Sequence, residues 1–397
     1  MRVEVMNLRR GTTGFWTRWA RAQVVQGAQR AALDRPWQPP WIALGDPAPA
    51  APGAVSAANA GYALGMSNPS LKALAELVRE DDILLGAAPA APYSEVEAAL
   101  RDRVERGLWA DMRFTAARPE VSCHPEKAVR NAQTVISAVL PIWEPATPRP
   151  EGPVGRLPRY AWADPYTTLR DALGRVRDAL KAEGFRSVVH VDANHHVDRE
   201  GARRAGLTFG GKNTMAIAPG LGSFVSIGTL ITDAPLDYEL PEPVRQGCGS
   251  CTLCIDACPT GALDEEYVLN AEQCISYWTQ SRRAVPDDVA EAMDDQVYGC
   301  DICQDVCPYN HGPNERRADR TPSADGWVRL DAWLEASEED LLERYRRLYV
   351  PDLDGRYLKR NALLALGNGP REHRDLARPF LDAEDPILSP AARRALG

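Results

Sequence analysis

Residues 248–259 read Cys248-Gly-Ser-Cys251-Thr-Leu-Cys254-Ile-Asp-Ala-Cys258-Pro259, which is the pattern C-x2-C-x2-C-x3-C-P. A second run reads Cys300-Asp-Ile-Cys303-Gln-Asp-Val-Cys307-Pro308, with Val297 where its first cysteine is expected. These runs contain most of the nine cysteines of the chain. In proteins with two cubane iron–sulfur clusters, three cysteines of such a run hold one cluster and the fourth ligates the other. The spacing therefore predicts two [4Fe-4S] clusters and a role in electron transfer.

Cys274 lies between the two runs and can supply the thiolate that the second run lacks. The crossed pattern then predicts two ligand sets, which are Cys248, Cys251, Cys254 and Cys307 for the first cluster, and Cys258, Cys274, Cys300 and Cys303 for the second. Zinc knuckles and disulfides are the alternative interpretations. Zinc sites rarely carry this spacing, and disulfides are rare in a reducing cytosol. Cys123 lies outside the cluster region and is left without a role.

Length and composition describe an ordinary globular protein. The 397 residues are enough for two or three domains, and 25% are charged while 44% are hydrophobic. No apolar run approaches the ~18 residues that span a bilayer, so we predict a cytoplasmic protein without a membrane partner. The net charge of −9 means that a nucleic-acid partner would need a local basic patch.

The first 65 residues differ from the remainder, with arginines in residues 1–30 and Ala and Pro in residues 35–60. Arg9-Arg10 is followed by no continuous apolar segment, so an export signal is not predicted. From Met66 the chain has a capping residue and helical apolar spacing. We predict that residues 1–65 are disordered or an upstream extension, with Met66 as an alternative start.

Helical and strand patterns alternate beyond Met66. Apolar runs predict strands at residues 134–142, 187–192 and 223–232, and helical spacing predicts helices at residues 93–108, 166–183 and 198–205. The fold class predicted is α+β. An α/β catalytic domain occupies residues 66–240, a ferredoxin-like two-cluster domain residues 241–312, and a helical-repeat tail residues 313–397.

Two further motifs do not predict a site. Residues 206–213 nearly match a phosphate-binding P-loop, but Asn213 replaces the required hydroxyl and the segment follows a helix. His190, His195 and His196 could form a metal cluster, but adjacent residues on a strand or loop point apart. Solvated or hydrogen-bonded histidines are the preferred interpretation.

Asp192 ends the second predicted strand and precedes a loop, where α/β folds place ligand-facing groups. A desolvated carboxyl has a raised pKa and can serve as a general acid. The alternative is that Asp192 caps the following helix, although Asp198 is better placed for that.

Residues 110–312 resemble epoxyqueuosine reductase, the cobalamin- and iron–sulfur-dependent enzyme family of queuosine-tRNA synthesis. The matching segments lie at residues 159–166, 191–192, 198–199, 203–207, 211–213, 222–224, 274–279 and 298–308, and residues 360–368 resemble the helical-repeat tail of the family. The catalytic aspartate of the family falls on Asp192. The resemblance implies a nitroreductase-like core and a cobalamin near Asp192, Ser276, Gln280, Asp301 and Ile302.

The resemblance also implies the reaction. Electrons pass through the clusters to cobalamin, Asp192 protonates the oxygen that leaves as water, and the epoxide of the modified wobble nucleoside becomes an alkene. A separate electron donor, such as a flavodoxin or a ferredoxin, is implied. Reductive dehalogenases share this cofactor order, but they typically carry an export signal and lack the helical tail. A plain ferredoxin-type carrier needs only about 60–80 residues around its clusters, which leaves the long preceding segment unexplained.

A tRNA substrate requires cations beside the pocket and along the stem. Arg282 directly follows the Cys274 segment, and Lys359 and Arg360 lie among several arginines in the C-terminal region. Each of these side chains, taken alone, could equally be a solvated charge balanced by nearby glutamates. Taken together, they predict a local basic face for tRNA.

Overall fold

The computed structural model describes residues 68–111, 114–322, 326–381 and 384–397. The predicted extension of residues 1–65 and the alternative start at Met66 lie outside these ranges. The described chain has a mixed α/β fold, as predicted. No helix in the described part of the chain is both long and apolar enough to cross a membrane.

The strands and helices of the described residues are mostly short. The strands are β1 (Leu84–Pro89), β2 (Thr134–Pro141), β3 (Val154–Arg156), β4 (Ser187–Val191), β5 (Phe209–Gly210), β6 (Ala216–Ile217), β7 (Val225–Thr232) and β8 (Trp327–Arg329). The helices up to the second cysteine run are α1 (Leu71–Glu76), α2 (Ser94–Glu105), α3 (Pro119–Ser122), α4 (Pro125–Ala128), α5 (Pro165–Ala182), α6 (Asp198–Arg204), α7 (Leu253–Asp256), α8 (Ile275–Trp278) and α9 (Asp287–Ala292). The later helices are α10 (Ile302–Asp305), α11 (Pro308–Arg317), α12 (Leu330–Glu335), α13 (Glu338–Arg344), α14 (Arg356–Asn368) and α15 (Leu388–Leu396).

The central sheet has four strands in the order β1-β2-β7-β4, and every neighbouring pair is antiparallel. The predicted strands at residues 134–142, 187–192 and 223–232 are confirmed as β2, β4 and β7. Sequence analysis missed β1, which reads Leu-Leu-Gly-Ala-Ala-Pro and contains none of the β-branched residues that mark strands.

Helices cover both faces of the sheet. Leu169 and Leu173 of α5 pack in one core with Ile136 and Leu230. On the opposite face Ala202 of α6 packs with β2. Because neither face is left to water, β2 is buried at every position but the last and is mostly apolar, which explains why its sequence predicted a buried strand.

The predicted helices at residues 166–183 and 198–205 are confirmed as α5 and α6. Asp164 caps α5 by accepting a hydrogen bond from the Thr167 N–H at 3.0 Å. Gly206 ends α6 with a φ of 70°, the left-handed conformation that glycine adopts readily after a helix. The helix predicted at residues 93–108 is the shorter α2, and no residue of α2 is buried, so the apolar face predicted for it is not part of the core.

The cysteine-bearing region and the C-terminal helices share one core. It includes Trp278 of α8, Met293, Trp333 of α12, Leu363 of α14 and Ala392 of α15. The β3–β8 pair ties the chain before α5 to the same region. The cysteines are therefore held between the sheet domain and the C-terminal helices.

Candidate functional site

The first predicted thiol set lies together. Cys248, Cys251, Cys254 and Cys307 line one cavity, although Cys307 is far from the others in sequence. Burial raises the pKa of Cys254 to about 12, and the charges of Cys248, Cys307 and Cys251 raise it further. The cysteines are free thiols in this structure, so the disulfide alternative finds no support among the described residues.

The second predicted set lies beside the first. Burial raises the pKa of Cys300, and the charges of Cys274 and Cys258 add to the shift. The pKa of Cys303 is raised by burial and then by Cys300, Cys274 and Cys254. These charge interactions link Cys258, Cys274, Cys300 and Cys303, and the interaction of Cys303 with Cys254 links them to the first set.

Residues 211–213, which sequence analysis left without a role, contact both thiol groups. The Lys212 N–H points to the Cys248 sulfur at 3.4 Å, and the buried Lys212 ammonium bonds Glu266 at 2.6 Å. Asn213 donates from Nδ2 to the Cys303 carbonyl oxygen at 3.3 Å. The segment is therefore not a nucleotide loop, as predicted. The match of its Gly-Lys-Asn sequence to the resembled family was the signal that could have predicted a position beside the cysteines.

Asp192 directly follows β4 and holds its backbone in the left-handed region, with a φ of 52°. Its side chain is accessible to solvent. Partial desolvation of the carboxyl nevertheless raises its pKa, while Arg170 on α5 opposes the shift. An accessible carboxyl that retains its proton more readily than usual is suited to general acid catalysis.

Asp198 has a different role from the one predicted. The cap position of α6 is Val197, which provides no side-chain cap. Asp198 instead accepts a hydrogen bond from Thr229 Oγ1 of β7 at 2.7 Å. Burial raises the pKa of Asp198 to about 8. The hydrogen bond from Thr229 lowers this pKa, whereas the Asp192 charge raises it. The helix-capping expectation for Asp198 is therefore wrong, because the sheet below the helix competes for the carboxyl.

Two of the three histidines near Asp192, His190 and His196, are buried. His190 and His196 are stacked with ring centroids 5.9 Å apart, and Tyr93 Oη lies 3.4 Å from His196 Nε2. Burial lowers the pKa of His196 to about 3, so the ring is neutral. The prediction of a hydrogen-bonded histidine is confirmed for His196.

The residues predicted near a corrin lie between the second thiol group and the sheet domain. Gln280 donates to the Ser276 carbonyl oxygen at 2.9 Å and accepts from the Tyr298 hydroxyl at 3.1 Å. Asp301 accepts from the Arg159 N–H at 2.7 Å. Ile302 is buried beside it. Burial raises the pKa of Tyr298, and the Asp192 charge contributes to the shift, so Asp192 faces this region.

The predicted basic face is only partly present. Arg282 is exposed and pairs with Asp352 at 2.6 Å. Lys359 is partly buried and donates to the Leu334 carbonyl oxygen at 3.0 Å. Arg360 is buried, with 4% of its surface exposed, and donates to the carbonyl oxygens of Trp278, Ser281 and Arg283. The phosphate contact predicted for Arg360 is therefore wrong, because its guanidinium joins α14 to the segment after α8.

Comparison with known proteins connects this geometry to a family. Residues 247–310 match a family model described as a 4Fe-4S double cluster binding domain, which spans all the cysteines of both runs. The chain is 33% identical over 292 residues to the epoxyqueuosine reductase of Lactococcus garvieae, covering 72% of this chain and 82% of that protein. The chain belongs to the epoxyqueuosine reductase family. The epoxyqueuosine reductase of Bacillus anthracis is 30% identical to this chain over 324 residues, covering 79% of this chain and 84% of that protein.

Solved structures of family members share the fold. The epoxyqueuosine reductase of Streptococcus thermophilus superposes with a TM-score of 0.72 at 30% identity, over 82% of this chain and 89% of its own. An epoxyqueuosine reductase crystallised with an epoxyqueuosine-modified tRNA-Tyr stem loop gives a TM-score of 0.74 at 27% identity, over 82% of this chain and 88% of its own. This chain is therefore an oxidoreductase of the epoxyqueuosine reductase family.

Proposed function

We propose that this chain reduces epoxyqueuosine to queuosine at the wobble position of tRNA. The observation that carries the proposal is the combination of Asp192, at the end of β4, with two four-cysteine groups in one chain. That combination lies on the fold of a reductase crystallised with an epoxyqueuosine-modified stem loop. A ferredoxin-type carrier would have no use for the sheet domain that carries Asp192.

Two [4Fe-4S] clusters are held by the two thiol groups in this proposal. Cys248, Cys251, Cys254 and Cys307 ligate the first, since four sulfur donors around one cavity are the ligand set that a cubane cluster takes. Cys258, Cys274, Cys300 and Cys303 ligate the second. The Lys212 N–H toward the Cys248 sulfur is the kind of hydrogen bond that tunes a cluster.

Cobalamin would be held between Asp192 and the second thiol group. The residues present fit it in two respects. Tyr160, Tyr166 and Tyr298 provide aromatic surface near Asp192 and Asp301. Ser276, Gln280, Asp301 and Ile302 are the proposed contacts from the cluster side, and Asp192 is the contact from the sheet domain. When bound, the cofactor supplies the reducing chemistry that side chains lack.

The side chains of this chain orient the substrate and deliver protons. Asp192 gives its proton to the epoxide oxygen, which leaves as water. The raised pKa of Asp192 keeps a larger share of the carboxyl protonated than in a free aspartate. The carboxyl follows β4, which pairs with β7 at one edge of the sheet.

Binding of tRNA uses Arg282 and Lys359, with Arg282 nearer the pocket. Arg282 directly follows the segment that contains Gln280, one of the proposed cobalamin contacts. Electrons come from a separate donor protein, such as a flavodoxin or a ferredoxin, and the reaction takes place in the cytoplasm. We also propose that the sheet domain has a nitroreductase-like topology. The C-terminal helices form a helical repeat in this proposal.

The test is conversion of the substrate by reconstituted protein. Protein loaded with iron, sulfide and cobalamin is incubated with a chemical reductant and a stem loop that contains epoxyqueuosine, and the nucleosides are analysed by mass spectrometry. We expect loss of one oxygen atom from the modified nucleoside, and no conversion when cobalamin is omitted. Cluster absorbance without corrin bands, and without conversion, would favour the electron-carrier alternative.

A further inference from the structure

Asp198 and Asp192 stand at the two ends of one loop. Asp192 leaves β4 and Asp198 begins α6. Thr229, which donates to Asp198, is paired with His190 in the β4–β7 register. His190 precedes Asp192 by two residues, or about 7 Å along an extended strand. The hydrogen bond therefore brings the Asp198 carboxyl back to the end of the strand from which Asp192 projects.

The α6 helix lies close to the sheet at this point. A Cβ atom on Gly201 would lie 3.0 Å from Ser137 Oγ and 3.2 Å from Thr229 Cγ2. Glycine at this position allows the first turn of α6, and with it Asp198, to reach the strand. Asp198 is partly buried at this close approach, whereas Asp192 is exposed.

Neither carboxyl has an ion pair with a described residue. The charged and titratable groups around Asp198 are Asp192 and Arg199 beside it, Tyr166 on α5, and Tyr93 before α2. Those around Asp192 are Arg170 and Tyr166 on α5 and Tyr298 from the cysteine-bearing region. The neutral His190 and His196 lie behind the loop. Burial raises the pKa of Asp198 to about 8, which favours its protonated form at neutral pH.

The proposed reaction needs more protons than one carboxyl holds. Conversion of an epoxide to an alkene takes up two electrons and two protons and releases one water. Asp192 gives one proton, after which it is a carboxylate. A second proton must reach the same oxygen before water can leave.

We propose, on the basis of the proposed function, that Asp198 is the positioning residue that supplies the second proton through Asp192. Both C–O bonds of the epoxide break, the carbon–carbon double bond forms, and the oxygen takes one proton from Asp192. The Asp198 carboxyl then protonates the Asp192 carboxylate, and Asp192 passes this proton to the same oxygen. Asp198 regains its proton from solvent, and the donor protein supplies both electrons through the clusters.

The test compares the reconstituted holoenzyme with Asp198→Asn and Thr229→Val over the neutral and alkaline pH range. Asp198→Asn keeps the shape of the carboxyl but removes its proton. We expect kcat for the stem loop to fall about 10²-fold, as for loss of a general acid, with KM unchanged. The wild-type rate should fall above about pH 8, and this alkaline limb should vanish in Asp198→Asn.

Thr229→Val separates proton supply from simple anchoring of the loop. The Thr229 hydrogen bond lowers the pKa of Asp198, so its removal should move the alkaline limb to higher pH. An anchor alone predicts that both variants lose rate equally at every pH, with the limb unmoved, and that result would overturn the proposal. Thr229→Ser, which keeps the donor, should restore the wild-type limb.

An infrared titration gives a readout that is independent of turnover. The carbonyl band component that titrates near pH 8 should be present in wild type, should move to lower pH in Asp192→Asn because the Asp192 charge is removed, and should be absent in Asp198→Asn. The same band in Asp198→Asn would overturn the assignment. Inactive wild-type holoenzyme would contradict the proposed function itself, whereas active wild type with an unchanged Asp198→Asn profile would contradict only the inference.

Discussion

Asp192 places a carboxyl at a strand end by adopting a conformation that most side chains avoid. A residue other than glycine in the left-handed region costs of order 1–3 kcal/mol and persists only where the surrounding structure fixes it. Aspartate tolerates this region because its short side chain bonds locally. The pairing of Val191 with Gly228 ends the β4 ladder immediately before this residue. The backbone therefore turns at the position where the carboxyl is needed.

Asp192→Asn should retain the fold, both clusters and cobalamin but lose most turnover. The amide has nearly the same volume but no dissociable proton, so kcat should fall about 10²–10⁴-fold. Single-turnover conversion of the modified stem loop measures the effect. Asp178→Asn on the exposed side of α5 is the matched control and should turn over like wild type. Near-normal conversion by Asp192→Asn would assign Asp192 a structural role.

Sequence analysis identified those site residues whose role is indicated by their immediate neighbours in the chain. Asp192 follows a recognisable apolar strand, and the cysteines have a spacing that few other sites use. Asp198 and Lys212 could not be assigned in this way, because their partners Thr229 and Glu266 lie 31 and 54 residues away. Arg360 was misassigned for the same reason, since its charge is evident in sequence but its burial depends on packing with distant carbonyl groups.

At the scale of elements, the strands β2, β4 and β7 were predictable because their apolar runs exceed those of ordinary loops. The antiparallel order of these strands was not predictable. Two neighbours in the sheet, β2 and β7, are separated by about 80 residues, and no local sequence pattern indicates that such distant segments pair. The helix α2 shows the opposite case. Its apolar spacing is visible in the sequence, but none of its residues is buried in the described structure.

The two cysteine runs should depend on each other. Cys307→Ser is expected to damage the cluster of Cys248, Cys251 and Cys254, because Cys307 lines the same cavity. Iron content and electron paramagnetic resonance spectra that resolve the two clusters measure the lesion. Cys123→Ala, at the free cysteine outside the cavity, should keep full iron content. Damage confined to the Cys300 and Cys303 cluster would contradict the crossed ligand sets.

Arg360→Met should destabilise the attachment of α14 to the segment after α8. The substitution leaves the buried carbonyl oxygen of Ser281 without its donor, and an unsatisfied buried group costs about 1–3 kcal/mol. Urea unfolding followed by circular dichroism measures the change in the free energy of unfolding. Arg346→Met, at an exposed site on the same C-terminal region, should change that free energy by less than about 0.5 kcal/mol. Equal stability of the two variants would contradict the structural role of Arg360.

At the scale of the whole molecule, the C-terminal helices and the cysteine-bearing region behave as one body, because Trp278 and Leu363 belong to the same core. A rigid connection of this kind places Arg282 at a fixed position relative to the proposed pocket. A stem loop bound along the C-terminal helices could then present its wobble nucleoside to the site without a domain movement. Extrusion of that nucleoside from its stack costs about a few kcal/mol.

Arg282→Ala should weaken binding of the stem loop and reduce its salt dependence. Removing the cation that neutralises one phosphate lowers the slope of log affinity against log salt by about 0.7–0.9. Fluorescence anisotropy at several salt concentrations measures both quantities, with Arg79→Ala, another exposed and ion-paired arginine, as the control. Lys359→Ala should lower affinity and slope without changing kcat. Unchanged affinity and slope in the Arg282, Lys359 double variant would contradict this placement of the tRNA.

The crossed grouping of the thiols also constrains biogenesis. Neither four-cysteine group is complete until Cys303 and Cys307 have been translated. Ribosomes add about 5–20 residues per second, so the roughly 60 residues after Cys248 occupy about 3–12 s of synthesis. During that interval the first run emerges as reduced thiols with no complete site for metal, while the preceding sheet can already fold. A complete site for iron therefore exists only after both runs have been made, and the nascent thiols are open to oxidation until it is filled.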